Sequence, residues 1–175
     1  VMLLGRLDGP LFEALADLAG VRTALPEEAQ RRSVAADIAG GGVSHLVYLP
    51  SPEPRHWDFA GLMREVCRIG LGAPLHVTVL GGGADASPDA SDGRALDHGM
   101  LLSLRHEEPQ LTAAHVELEA VNAESVRVFR DVLGRAHGSC LIRADGRLCL
   151  PELERLAADT VRRPPGPGCI VVSGG

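Results

Sequence analysis

The sequence predicts an α/β domain: a mostly parallel sheet with helices on both faces and a β-hairpin near the C-terminus. Three observations lead there. Short apolar runs of strand length alternate with stretches of helical periodicity five times along the 175 residues, the pattern of repeated βα units. The terminal run Cys169-Ile170-Val171-Val172 is apolar throughout, as a strand buried on both faces of a parallel sheet is. Finally, Ala144-Asp145-Gly146 separates Cys140–Arg143 from Arg147–Leu150. An Asp-Gly pair between two strand-like runs is a strong hairpin signal.

The elements follow in order. Val1–Leu4 is a short first strand, and Leu11–Leu18 a helix with Leu11, Ala14, Leu15 and Leu18 on its apolar face. Gly20 ends it. Val21–Leu25 is a second, short strand. Pro26 suits the first turn of the next helix, with Glu27 and Glu28 favourable near its positive end. That helix runs to about Ala39 and stops at Gly40-Gly41-Gly42. Ser44–Leu49 is a strand and Pro50–Pro54 a rigid loop. Phe59–Ile69 is a helix with Leu62, Met63, Val66 and Ile69 at helical spacing. Leu75–Leu80 is a β-branched strand. Gly81–Asp92 reads as a surface loop. Arg94–His106 is a helix closed by Pro109, Thr112–Leu118 a strand, and Glu124–Leu133 a helix. The hairpin Ser139–Leu150 is an edge decoration. A polar segment, Glu152–Arg163, then leads through a Pro/Gly linker to the closing strand.

Composition narrows the function. Apolar residues make up 45% and aromatics only 3%, so Leu, Val, Ile and Ala must build the core. A net charge of −6, with 17 scattered basic residues, argues against a nucleic-acid partner, which requires clustered cations. No run reaches the length of a membrane span, and no basic-then-apolar signal segment is visible. Cys67, Cys140, Cys149 and Cys169 form no CxxC pair. They read as small buried hydrophobes in a reducing, cytoplasmic compartment. The chain opens inside a strand-like run and closes in mid-motif, so both ends read as cuts in a longer polypeptide.

Four groups of residues have chemical potential. Gly81-Gly82-Gly83 follows a strand, as a phosphate loop does. The expected helix begins about ten residues later, too far for its amides to join the glycines, which favours a plain surface loop. His98 and His106 share one predicted helix, but not in His-Glu-x-x-His order. That excludes a zinc-protease site and leaves a solvated polar helix end. His45 and His76 each stand second in similar strands and would face one another. They read as satisfied strand-start residues, because no third metal ligand accompanies them. Ser173-Gly174-Gly175 gives the first three residues of a dinucleotide-binding turn, without the helix that would complete it. A plain terminal glycine tag is the alternative.

The order of these pieces resembles the structural subdomain of a ketoreductase from a modular type I polyketide synthase. His45–Pro50 resembles that family's "GVV-hydrophobic-L" strand, Phe59–Ile69 its next long helix, and Leu75–Gly81 its following strand. Gly99–Pro109 resembles the segment written "WGLGRVIALEHP" in the family, and Val116–Leu118 its "VDL" strand. Ile142–Leu153 resembles its Arg- and Gly-containing hairpin, and Cys169–Gly175 the "YLVTGG" opening of the catalytic lobe. His98 stands where the family usually has Trp, Leu101 where it often has Gly, and Ser173 where it has Thr.

The resemblance implies a truncated Rossmann-like lobe over residues 1–163. Residues 164–175 would be a linker and the first strand of the catalytic subdomain. It implies no catalytic residue and no metal in this chain. Ser173, Gly174 and Gly175 would begin an incomplete cofactor loop, so the chain alone would bind no cofactor and be inactive. The complete reductase would use NADPH to reduce a β-ketoacyl thioester held on an acyl carrier protein. The implied partners are the catalytic subdomain, neighbouring synthase domains and the carrier protein, with no nucleic acid and no membrane. Ile170, Val171 and Val172 would joint the two lobes. The alternatives are a degenerate lobe serving as a spacer or docking module in the synthase, and a free-standing protein binding a small molecule at Gly81–Asp92.

Overall fold

A computed structural model describes residues 1–5, 9–18, 20–50, 56–82, 88–135 and 138–152 of the chain. Five βα units and a hairpin follow one another: β1 (Met2–Gly5), α1 (Pro10–Leu15), β2 (Val21–Thr23), α2 (Glu28–Asp37), β3 (His45–Leu49), α3 (His56–Ile69), β4 (Leu75–Gly82), α4 (Pro88–Glu107), β5 (Leu111–Leu118), α5 (Ala123–Val132), β6 (Gly138–Ile142) and β7 (Leu148–Cys149). They form one seven-stranded sheet of order β2-β1-β3-β4-β5-β6-β7. All pairings are parallel except β6–β7. The expected α/β class, the helices on both faces and the edge hairpin are all present.

Side-chain alternation divides the core into two layers. Leu4, Leu46, Tyr48, Leu75, Val77, Val79 and Ala113 point to one face. There they pack on Ala35 and Ile38 at the end of α2, on Phe59, Leu62, Met63 and Val66 of α3, and on Leu101 and Leu104 of α4. Leu3, Val47, Leu49, Leu80, Val116, Leu118, Cys140 and Ile142 point to the other, under Leu15 of α1 and Val126 and Phe129 of α5. With so few aromatics, Tyr48 and Phe59 stack with centroids 3.9 Å apart and planes at 9°. Each fully buried Leu, Val or Phe contributes about 1.5–3 kcal/mol. Strand β4, central in the sheet, is buried along its whole length.

Several boundaries differ from the sequence-based ones. Helix α4 begins at Pro88, so the stretch 88–92 that reads as loop from its Gly/Ala/Ser/Asp composition belongs to a helix. Helix α1 ends at Leu15, and α2 gives way to a wide turn over Ile38–Gly42, with Gly41 at φ 83°. Ile69, expected on the apolar face of α3, is exposed because it is that helix's last residue. Of the three described cysteines only Cys140 is buried. Cys67 is half-buried, and Cys149 is exposed because β7 is an edge strand. The Pro50–Pro54 loop beyond Pro50, the polar segment beyond Glu152, the linker, Cys169 and the joint Ile170–Val172 lie outside the described residues. No helix among the described residues is long and apolar enough to cross a membrane.

The helix faces have a topological consequence. Helices α2, α3 and α4 each lead rightward along the sheet order on one face, and α5 leads the same way on the opposite face. The β5–α5–β6 crossover is therefore of opposite hand to the other three, against the strong right-handed preference of parallel connections. Helix α5 covers the α1 side of β5 and β6. On the opposite side, α4 packs against β5, with Leu101 and Leu104 in the layer that holds Ala113 and with His98 beside His115.

Candidate functional site

The strand register places His115 and Glu117 of β5 beside Ser139 and Leu141 of β6, and Leu141 beside Cys149 of β7. All five lie on the α4 side of the sheet, by alternation with buried Val116, Leu118, Cys140 and Ile142 of the opposite layer. With Leu150 and Pro151 they line an open groove of about 420 Å³. Its walls are mainly apolar, and Leu150 is 68% exposed.

A polar cluster adjoins the groove. His115 Nε2 donates to Glu117 Oε1 at 2.9 Å. Carboxylate pairing of this kind fixes the ring's orientation and tautomer. His98 of α4 lies against it, with ring centroids 5.7 Å apart. His98 is buried, and its Nε2 meets no hydrogen-bond partner among the described residues. Burial and the neighbouring His115 push its pKa down to about 4, so it is neutral at pH 7. Asp97 beside it is buried as well. The cluster can hold and orient a proton. Among the described residues no group of three His, Cys, Asp or Glu is placed to hold a metal ion.

This overturns the solvated reading of His98, while His106 is exposed as expected. A signal was available. His98, Leu101 and Leu104 recur at helical spacing, and both leucines are buried. The polar letters around them obscured that face.

His45 and His76 do come together. They are register partners across β3 and β4, with ring centroids 5.9 Å apart. Local bonds hold each ring: His45 Nδ1 pairs with Ser44 Oγ at 2.9 Å, and His76 Nδ1 with Thr112 Oγ1 at 2.8 Å. Gly134, at φ 77°, leaves room for the His45 imidazole, where a Cβ would collide with the ring. The pair sits at the amino ends of the strands, opposite the end where ligands bind in open α/β sheets.

At the carboxyl ends, backbones close on one another. Gly5 has φ 106°, and a Cβ there would overlap the Leu49 carbonyl. Gly82, at φ 146°, would likewise overlap Leu118. Both positions require glycine for chain packing at the tips of β1 and β4. Gly81 and Gly82 are thus the last residues of a strand rather than part of a loop. The next helix starts at Pro88, closer than the ten residues expected. Gly83 lies outside the described residues, as do Ser173, Gly174 and Gly175, the expected start of the cofactor loop.

The thiols differ in availability. Burial pushes the Cys140 thiol pKa up, and burial with the nearby carboxylates Glu108 and Glu107 does the same for Cys67. Neither has the character of a nucleophile. Comparison of the chain with family models, with curated proteins and with solved structures finds no match in any of the three.

Proposed function

We propose that the chain is a supporting lobe of an NADPH-dependent β-ketoacyl reductase in a modular polyketide synthase, non-catalytic by itself. One observation supports this reading above the others. The seven strands found among the described residues lie within residues 2–149, and the last of them, β7, is antiparallel to β6. The strand-like run Ile170-Val171-Val172 and the turn Ser173-Gly174-Gly175 follow the antiparallel hairpin in the sequence. They suit the start of a second sheet, and a Gly pair at the carboxyl end of such a strand is how a pyrophosphate-binding turn opens. The order of strands, long helix and hairpin is also the order on which the family resemblance rests.

In this role the first lobe orders the strand that carries the cofactor turn. A catalytic constellation loses rate when its supporting shell loosens by about 1 Å. The test is calorimetric titration with NADPH of the chain alone and of its mixture with a separately produced ketoreductase catalytic lobe. The chain alone takes up no NADPH, whereas the mixture binds it and melts at a higher temperature, as any partner selective for the folded form requires. Micromolar binding by the chain alone, or unchanged melting of the mixture, overturns the proposal.

A further inference from the structure

We infer that the groove over β5, β6 and β7 binds a small apolar molecule through an uncharged hydroxyl head group, with Nδ1 of His115 as the acceptor. His115 is only 8% exposed, and two neighbours hold its ring. Glu117 Oε1 accepts from Nε2 at 2.9 Å, and the ring of His98 packs with centroids 5.7 Å apart. A carboxylate only accepts, so Nε2 carries the hydrogen and Nδ1 of the neutral ring keeps its lone pair. Among the described residues Nδ1 takes no hydrogen bond. The side-chain hydroxyl of Ser139, the register neighbour of His115 on β6, makes none either. A buried polar atom without a partner is costly, and a ligand that supplies one recovers that cost.

The lining sets the class of ligand. His115, Glu117 and Ser139 form the polar wall of the groove, and Leu141, Leu150 and Pro151 an apolar one. A volume of about 420 Å³, mainly apolar with a few polar groups brought together, is the make-up of a small-molecule site. The head group follows from what the polar wall lacks. Nδ1 needs a donor, and the Ser139 hydroxyl can donate or accept, so a ligand hydroxyl satisfies both. The Glu117 carboxylate in the same wall repels an anionic head. A cationic head would meet a carboxylate already engaged by His115, and an apolar groove disfavours a further charge. The inference rests on this groove alone and stands apart from the reductase reading.

The probes are para-pentylphenol and three molecules with the same apolar body. The methyl ether para-pentylanisole lacks the donor, para-pentylbenzoate is an anion, and para-pentylbenzylamine is a cation at pH 7.5. Calorimetric titration of the full chain at that pH should show saturable uptake of the phenol, with each of the others at least about tenfold weaker. Cys149, exposed on the groove wall, reports where the probe sits. Phenol at about ten times its dissociation constant should slow maleimide labelling of Cys149 about tenfold. His115→Phe should bind phenol and ether equally. If that variant fails to fold by circular dichroism, Leu150→Asp, at a side chain 68% exposed, must weaken uptake of the phenol. No uptake by the parent chain, equal affinity for phenol and ether, or tighter binding of either charged probe overturns the inference. So does uptake that leaves Cys149 labelling unchanged, or that Leu150→Asp does not weaken.

Discussion

His98 is a neutral imidazole held where a charge is disfavoured. Its pKa is about 4 in the fold, against an ordinary value near 6.5. The unfolded chain therefore binds this proton more readily than the folded one between those values. The linkage sign follows: stability is complete above about pH 6.5 and falls as the pH is lowered toward 4. At pH 5 the loss from this group is on the order of 2 kcal/mol, at 1.36 kcal/mol per pH unit below the unfolded value. Urea unfolding of the parent chain and of His98→Leu, at pH 7.5 and pH 5, isolates it from other titrating groups. The parent should lose more stability than the variant over that interval, and parallel profiles would reject the assignment. His98 also shows what could be read from the letters. Its helix was foreseen, and its spacing to Leu101 and Leu104 carried the burial. The ring it packs beside, His115, comes from a strand seventeen residues on, and only the folded sheet brings the two rings together.

The start of α5 is specified from both sides of its first turn. Asn122 accepts from the Ser125 backbone N–H at 2.9 Å, and Ser125 Oγ accepts from the Asn122 N–H at 3.1 Å, a reciprocal capping box. Asn122 Nδ2 also donates to the Ala144 carbonyl at 3.0 Å. The hairpin turn is tied further when the Ala144 N–H donates to Glu119 at 2.8 Å. The cap therefore joins the helix start to the β6–β7 turn. Asn122→Ala should cost about 1–2 kcal/mol for the cap, measured by chemical unfolding, and should raise amide exchange in the turn around Ala144. A loss confined to α5, with the turn unaffected, would show that the two are not coupled. Strands and helices of strong periodicity, such as β4 and α3, were legible from the sequence. The start of α4 was not. Its first turns are written in Asp, Ser, Gly and Ala, residues that local chemistry assigns to loops.

For the molecule as a whole, position in the sheet orders local stability. Strand β4 is flanked by β3 and β5, is buried along its length and lies between the two core layers. Strand β7 holds two residues, both exposed, and among the described residues it pairs only with β6. Regions with few buried apolar contacts open without global unfolding, whereas central strands exchange only when the whole domain opens. Amides of Val77–Leu80 should thus exchange at least about a hundredfold more slowly than those of Leu148 and Cys149. Native-state hydrogen exchange at low denaturant is the measurement. The uncommon hand of the β5–α5–β6 crossover sharpens the expectation for β6. Its α1-side residues Cys140 and Ile142 are buried under α5, while Ser139 and Leu141 face the groove. Strand β6 should therefore fall between β4 and β7, opening with the hairpin before the central sheet. Protection of β6 equal to that of β4 would mean that the sheet unfolds as one cooperative unit up to that edge, and the graded picture would fail.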